Sequence, residues 1–142
     1  MMRVTNERFD VKKKIEILTA TKELIKTKDR WTRFAYARDR ENSQIEYFGK
    51  GSKPCCFCIM GAVVYCIYQE GYTMHIGGEI AKNMNLREIF QELQITAKDL
   101  YGRSKSRSTW NISDFNDHNK TTHKEILRVI SKTIVRLKQR RL

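Results

Sequence analysis

Apolar residues recur with helical spacing near the start of the chain. Val11, Ile15, Leu18 and Ile25 are separated by steps of four, three and seven residues, which places them on one face of an α-helix. Lysines lie mainly at the other positions of this segment. The pattern predicts an amphipathic helix over residues 10–27.

A second amphipathic segment ends the chain. Thr122 and Glu125 have the spacing of a capping box, in which each side chain accepts a hydrogen bond from the backbone N–H of the other residue. A stripe of apolar residues follows at helical spacing: Ile126, Val129, Ile130, Ile134 and Leu137. The pattern predicts a basic C-terminal helix at about 122–141.

The longest apolar run, Cys55–Tyr68, lies in the middle of the chain. It is shorter than the roughly 20 residues that span a bilayer, so it predicts a buried helix and no membrane segment. Pro54 suits the first turn of such a helix and Gly71 suits its C-terminal cap. The buried helix is therefore expected at about 54–70, and Gly61-Ala62 would let another helix approach it closely.

The remaining segments predict a small hairpin and two further helices, so that the fold class is mainly α. Partial alternation over Trp31–Asp39, a polar turn and a short apolar stretch to Phe48 predict a small β-hairpin near 31–48, with an irregular loop as the alternative. Apolar spacing predicts a third helix over residues 86–93 and a short fourth helix over residues 96–102. We expect a compact single domain, residues 1–142, of four to five helices around the buried apolar helix.

Composition restricts the class of protein further. The chain has 142 residues, 40% of them hydrophobic, with one proline and seven glycines. These values exclude a disordered tail and a collagen-like or linker-dominated chain. The first ten residues contain no apolar signal segment, and the four cysteines are too close together to staple distant parts of the chain. Both features predict a cytoplasmic protein.

The net charge of +12 is concentrated in three segments. Residues 1–33 contain ten basic and five acidic residues, residues 102–110 contain three basic residues and no acid, and residues 120–142 contain eight basic residues and one acid. Residues 34–101 are nearly neutral, with seven basic and eight acidic residues. A positive charge of this size predicts an acidic partner, with nucleic acid as the first candidate and an acidic protein surface as another.

Two groups of cations are the predicted contact residues. Those of the last helix follow one another at steps of four residues, so that they form a slowly winding ridge that can track phosphates. Those of the loop are interleaved with serines and followed by Trp110, which suits phosphate contact and base stacking. The alternatives are a solvated helix face and an ordinary loop with Trp110 in the core. The predicted residues are Arg103, Lys105, Arg107, Lys124, Arg128, Lys132, Arg136 and Arg140.

The sequence gives weaker support for metal binding or catalysis by cysteines and histidines than for a basic contact surface. Cys55 and Cys58 have C-x-x-C spacing, and His118 and His123 complete a zinc-like set, but the two pairs lie about 60 residues apart, unlike those of a zinc finger. A nucleophilic cysteine at a helix start, with a histidine as base, is a second option. We expect no metal and no cofactor, and we consider a non-enzymatic protein the better interpretation.

Three sequence blocks together resemble a domain-of-unknown-function family found in bacteria and their phages. The blocks are Trp31 with Ala35–Asp39, then Phe57–Ala62, then Ile112–Asp117 followed by Thr122 and Glu125. The chain departs from the family pattern at Phe57 and Phe115, where tryptophan is usual, and at Lys120-Thr121, where Gly-Arg is usual. The resemblance spans roughly residues 15–135. It implies a compact helical domain and supplies no activity.

The resemblance also implies a possible pocket. Its candidate residues are Arg38, Asp39, Cys58, Asn116 and Asp117, although internal pairing or turn formation would explain most of them.

Three hypotheses follow. The first is a small basic binding protein for nucleic acid or a nucleoprotein assembly, for which a phage or mobile-element accessory or inhibitor role is one form. The second is a ligand-binding or enzymatic domain that uses the pocket near Arg38, Asp39, Cys58 and Asp117. The third is a basic adaptor or inhibitor that docks on an acidic protein. The oligomeric state stays open.

Overall fold

The computed structural model describes residues 7–49, 51–71, 83–102 and 112–141. Within these ranges the chain forms five α-helices, one 3-10 turn and a small antiparallel sheet, so that the predicted mainly α fold is confirmed. The helices are α1 (Val11–Leu24), α2 (Ile59–Gln69), α3 (Met84–Tyr101), α4 (Ile112–Asp117) and α5 (His123–Arg141), and the 3-10 turn is Lys28–Arg30. The strands are β1 (Ala37–Arg38), β2 (Gln44–Ile45) and β3 (Cys56–Phe57).

Side chains at the helix starts accept hydrogen bonds from the first free backbone N–H groups. Asp10 caps α1 through the N–H of Lys13 at 2.8 Å. The capping box predicted for α5 is confirmed: the Thr122 hydroxyl accepts from the N–H of Glu125 at 3.2 Å, and Oε1 of Glu125 accepts from the N–H of Thr122 at 3.1 Å. These bonds fix the start of α5, because the backbone N–H groups of the first helical turn have no acceptor within the helix.

Glycines with a positive φ follow α2 and α3. Gly71 has φ +93° after α2, and Gly102 has φ +59° at the end of α3. A residue with a Cβ is strained in this left-handed region, whereas glycine adopts it readily. The prediction that Gly71 terminates the central helix is therefore confirmed, and Gly102 ends α3 at the residue where the predicted fourth helix ends.

The start predicted for the central apolar helix is wrong by about one turn. Pro54 does not lie in the first helical turn, because the residues after it are extended and pair with β1. In this pairing Cys56 lies opposite Arg38 and Phe57 lies opposite Ala37. Helix α2 consequently begins at Ile59.

The break predicted between the third and fourth helices is also wrong. Thr96 lies inside the continuous helix α3, where its hydroxyl donates to the carbonyl oxygen of Glu92 at 3.1 Å. The hydroxyl therefore bonds back into the preceding turn and does not cap a new helix. Helix α1, predicted to reach residue 27, ends at Leu24.

The predicted hairpin is present and has a third strand. β1 is the central strand in the order β2-β1-β3, and Ala37 pairs with both Ile45 and Phe57. The turn between β1 and β2 is built on Asp39, whose Oδ1 accepts from the N–H groups of Glu41 at 3.0 Å and Ser43 at 2.9 Å. These two hydrogen bonds close the turn between β1 and β2.

Helix α2 lies at the centre of the core, as predicted. Seven of its residues are buried, and it packs against α1, α4 and α3. α5 packs against α1 and α3, and most of its predicted apolar stripe is fully buried, although Ile134 is only partly buried. Within the described ranges, none of the helices has both the length and the apolar character that a membrane crossing requires.

Candidate ligand cleft and basic face

Asn116 connects three parts of the fold. Its Oδ1 accepts hydrogen bonds from the indole N–H of Trp31 at 2.8 Å and from the backbone N–H of Ile59 at 3.0 Å. Its Nδ2 donates to the carbonyl oxygen of Thr32 at 3.1 Å and to Oδ1 of Asp117 at 3.0 Å. The side chain is 1% exposed. Asn116 therefore joins α4 to the start of α2 and to the segment before β1.

Asp117 continues this network at the surface. Its Oδ1 accepts from the backbone N–H of Phe34 at 2.9 Å as well as from Asn116. Phe34 has φ +65°, and its side chain is 68% exposed. A bulky residue in this left-handed region is uncommon and costs conformational energy. The carboxylate of Asp117 holds the strained residue in place.

Arg38 and Asp39 have bonding roles within the hairpin. The guanidinium of Arg38 donates to the hydroxyl of Thr32 at 3.2 Å and to the carbonyl oxygens of Asn42 and Arg33 at 3.2 Å and 3.3 Å. It thereby fixes the segment before β1 to the β1–β2 turn, which Asp39 organises. These two candidates do not line the same cavity as Cys58 and Asp117.

A cleft of about 660 Å³ lies beside the hairpin and brings Cys58 and Asp117 together. Its wall combines aromatic rings, two carboxylates and smaller polar groups. The lining residues are Phe34, Ala35, Tyr36, Gln44, Ile45, Glu46, Tyr47, Cys58, Ser113 and Asp117. The structure therefore places two of the five pocket candidates, Cys58 and Asp117, in one cleft. A third candidate, Asn116, does not line the cleft but donates a hydrogen bond to Asp117.

Cys58 acts as the cap of α2. Its sulfur accepts from the backbone N–H of Gly61 at 3.3 Å. Burial is the main cause that raises the pKa of the Cys58 thiol to about 12, and the negative charge of Asp117 contributes to the same rise. The thiol is thus protonated at neutral pH, which is the opposite of an activated nucleophile. Burial, followed by the effect of Cys58, also raises the pKa of Tyr36.

Gly61, at the start of α2, lies where another part of the backbone approaches the helix closely. A Cβ at this position would lie 1.8 Å from the carbonyl oxygen of Tyr36. The same oxygen accepts from the N–H of Cys58 at 3.1 Å. The expectation that Gly61-Ala62 admits another helix is wrong at Gly61, because the backbone that approaches there belongs to the extended segment before β1.

The histidines considered as metal ligands or bases have structural contacts. Nε2 of His123 lies 2.7 Å from the carbonyl oxygen of Ile25, so that the start of α5 is joined to the end of α1. Nδ1 of His118 accepts from the N–H of Lys120 at 3.0 Å. Across the described ranges, no three histidine, cysteine or acidic side chains are grouped as they would be around a metal ion.

The cations predicted on α5 fall into two groups. Arg136 and Arg140 face α3: Nη1 of Arg136 donates to the Thr96 hydroxyl at 2.9 Å, and Arg140 forms an ion pair with Glu92. Lys124, Arg128 and Lys132 are exposed, and we call these three residues the basic face. The guanidinium of Arg128 also lies 5.8 Å from the ring centroid of Tyr101.

Arg103, Lys105 and Arg107, the predicted contact residues of the loop, lie outside the described residues. The basic segment that contains them follows Gly102, the cap of α3. The neighbouring Tyr101 lies beside the basic face, since its hydroxyl is 3.4 Å from Nη1 of Arg128.

Sequence reasoning missed the aromatic part of the cleft. Phe34 and Tyr36 occupy alternate positions of the segment that predicted a strand, and both line the cleft. Ala35, which lies between them, lines the cleft as well, so the alternation indicated this surface only in part. The positions of Glu46, Tyr47 and Ser113 gave no such signal, because the hairpin and α4 meet only through tertiary packing.

Comparison with known proteins assigns the chain to a family. No curated protein and no solved structure matches it. The sequence profile of DUF6197, a family of unknown function, matches residues 11–136, which include the whole hairpin, the cleft and most of α5. The chain therefore belongs to the family of unknown function DUF6197.

Proposed function

We propose that this protein is a non-enzymatic binding protein that docks on nucleic acid through the basic face of α5. The observation that carries the proposal is the exposure of Lys124, Arg128 and Lys132 at successive steps of four residues. Three cations with this spacing on one helix form a slowly winding row.

The regular spacing favours nucleic acid over an acidic protein. With a rise of about 1.5 Å per residue, Lys124 and Lys132 are separated by about 12 Å along the helix axis. A nucleic-acid strand carries one phosphate per about 3.4 Å, so the row is as long as three to four phosphates. Acidic patches of proteins have no such fixed repeat.

The contacts of α5 with α3 restrict the interface. Arg136 and Arg140 are bonded to Thr96 and Glu92, so they strengthen helix packing and the local positive field. Residues 103–110 follow Gly102 in the sequence, and Tyr101, two residues before them, lies beside Arg128. We include Arg103, Lys105 and Arg107 in the proposed interface because of this neighbourhood along the chain.

Two further observations support a non-enzymatic role in the cytoplasm. All four cysteines are free thiols, as is usual in a reducing compartment. The thiol of Cys58, which lies at a helix start, has a pKa raised by burial to about 12. A protonated, buried sulfur is suited to capping and packing, whereas nucleophilic catalysis needs a thiolate.

The proposal is tested by the salt dependence of binding to a duplex DNA and a single-stranded RNA. The three cations of the basic face contribute about −2.7 to the slope of log K against log salt on duplex DNA, since each neutralises about one phosphate. The triple variant Lys124→Gln, Arg128→Gln, Lys132→Gln is expected to remove this part of the slope, to leave the part that Arg103, Lys105 and Arg107 contribute, and to weaken binding to every sequence alike.

A control variant distinguishes the effect of the basic face on binding from the effect of the net charge of the chain. Arg40→Gln, Lys53→Gln and Arg87→Gln together remove the same charge from exposed positions outside α5. This variant should retain most of the affinity and the slope. Equal weakening by both triple variants, or no binding to either nucleic acid at low salt, would contradict the proposal. Nuclease-resistant capture of one host protein would favour an acidic protein partner instead.

A further inference from the structure

The charge of the cleft is opposite to that of the chain. Its described lining contains two carboxylates, Glu46 and Asp117, and no lysine or arginine, although the chain has a net charge of +12. Aromatic rings form much of the remaining wall. A cavity with this lining disfavours anions and attracts cations, which interact with both carboxylates and ring faces.

Asp117 presents a fixed carboxylate to the cleft. Its Oδ1 is held by two donors, the N–H of Phe34 and Nδ2 of Asn116. Its Oδ2 has no hydrogen bond to another residue in the described part of the chain. One oxygen therefore orients the group, and the other can accept a hydrogen bond from a ligand.

Phe34 is an independent sign of a binding role. It adopts the left-handed φ of +65°, where glycine or asparagine would be less strained. With 68% of its surface exposed, its side chain contributes little to the core that would explain the strain. Strained residues of this kind cluster at functional sites, and here the residue lies in the wall of the cleft.

Tyr47 and Tyr36 add aromatic surface to the same wall. Tyr47 is 60% exposed, whereas Tyr36 is half-buried. Together with Phe34 they line the cavity that also contains Asp117. Aromatic rings around a carboxylate form a suitable site for an ammonium group, because the negative ring faces replace part of its hydration shell.

We propose that this cleft binds a small organic cation, whose ammonium group lies between the carboxylate of Asp117 and the rings of Phe34 and Tyr47. The cleft volume of about 660 Å³ lies in the range of small-molecule sites. The site lies on the hairpin and α4, and it uses none of the cations of the basic face. It is thus a second binding function beside the docking of nucleic acid.

The experiment compares two probes of the same shape in calorimetric titrations of the full chain. Choline carries a quaternary ammonium, and 3,3-dimethylbutan-1-ol is its uncharged isostere. We expect choline to bind about tenfold tighter than the alcohol, since the charge supplies the ring and carboxylate attraction.

Two variants test the assigned residues. Asp117→Asn retains an acceptor for Phe34 and Asn116 but removes the charge, and it should weaken choline binding by about tenfold. Phe34→Gly should weaken it similarly while leaving the melting temperature unchanged or higher, because the strain is released. A residue that served only the fold would not lower affinity while the stability rose.

Asn42→Gly is the matched control. Asn42 is the other described non-glycine residue with a positive φ, at +66°, and it does not line the cleft. Its replacement should leave choline binding unchanged. If Asp117→Asn fails to fold, Glu46→Gln, at an exposed position, gives the second carboxylate test and should weaken binding. Equal affinity for both probes, or no choline binding at millimolar concentration, overturns the proposal.

Discussion

Gly61 and Tyr36 are in direct backbone contact, at a distance that no side chain at position 61 can accept. A Cβ on Gly61 would lie 1.8 Å from the carbonyl oxygen of Tyr36 and 2.6 Å from its carbonyl carbon. The carbonyl is also fixed by the N–H of Cys58. The first turn of α2 therefore packs directly on the segment that forms one wall of the cleft.

Gly61→Ala is expected to destabilise the protein by about 3 kcal/mol, because backbone must move on at least one side of the contact. Urea unfolding measures the change. Gly49→Ala is the control, since a Cβ there would meet only the ring of Tyr47 at 3.5 Å. A loss at Gly61 no larger than the loss at Gly49 would show that the contact relaxes without strain.

Asn116→Ala is expected to cost about 3 kcal/mol, because buried donors and acceptors on two other segments lose their partner. The partners are the indole of Trp31, the N–H of Ile59 and the carbonyl of Thr32. Thermal unfolding of the variant tests this. Asn119→Ala, at an exposed position, should change stability by less than about 0.5 kcal/mol.

The hydrogen bonds of Asn116 could not be predicted from the sequence. The resemblance drew attention to Asn116, but its partners on other segments lie 57 to 85 positions away along the chain. Only tertiary packing brings them together. Caps and terminating glycines were predictable, because Thr122–Glu125 and Gly102 act on backbone groups within a few residues.

The errors in the helix boundaries at Pro54 and at Thr96 have a common cause. A helix start at Pro54 satisfied the local rules, but pairing of Cys56 and Phe57 with β1 satisfies the same backbone groups in the sheet. At Thr96 the hydroxyl bonds back within α3 and also lies 2.8 Å from the buried Thr133 hydroxyl on α5. In both places a contact with a distant segment decided between structures that local propensity could not distinguish.

Acidification should remove the stabilisation that Glu88 supplies. Its carboxylate contacts the buried Lys14 at 2.9 Å and Arg8 at 3.1 Å. The hydrogen bond from Lys14 is the largest cause that lowers the pKa of Glu88 below its ordinary value of 4.5. Because the folded pKa is the lower one, the stabilisation is complete above pH 4.5 and is lost as pH falls through the folded value.

Glu88→Gln tests this by unfolding at several pH values. At neutral pH the variant should be less stable by about 3 kcal/mol, because Lys14 keeps a buried charge without its partner. The difference from the parent should shrink below pH 4.5. Glu23→Gln, which breaks the exposed pair with Lys26, should have little effect. A difference that stays constant into the acid range would contradict the assignment.

Cysteine labelling should follow burial and pKa. Iodoacetamide at pH 8 is expected to modify the exposed Cys55 first and to leave Cys58 and Cys66 unmodified, since burial raises their pKa values to about 12 and about 11. Mass spectrometry of peptides measures each site. Labelling of all four thiols in denaturant is the control, and native modification of Cys58 as fast as Cys55 would restore the nucleophile hypothesis.

Stability and binding should separate along α5. Arg136 is half-buried and donates to Thr96 at 2.9 Å, so Arg136→Met is expected to destabilise the fold by about 1 kcal/mol through loss of a charged hydrogen bond. Lys132 is exposed, and Lys132→Met should change stability by less than about 0.5 kcal/mol. Under the proposed function, Lys132→Met reduces the salt slope for duplex DNA by about 0.9. Urea unfolding and salt titration of the two single variants measure both effects. A stability loss at Lys132 equal to that at Arg136 would mean that the basic face also belongs to the helix packing.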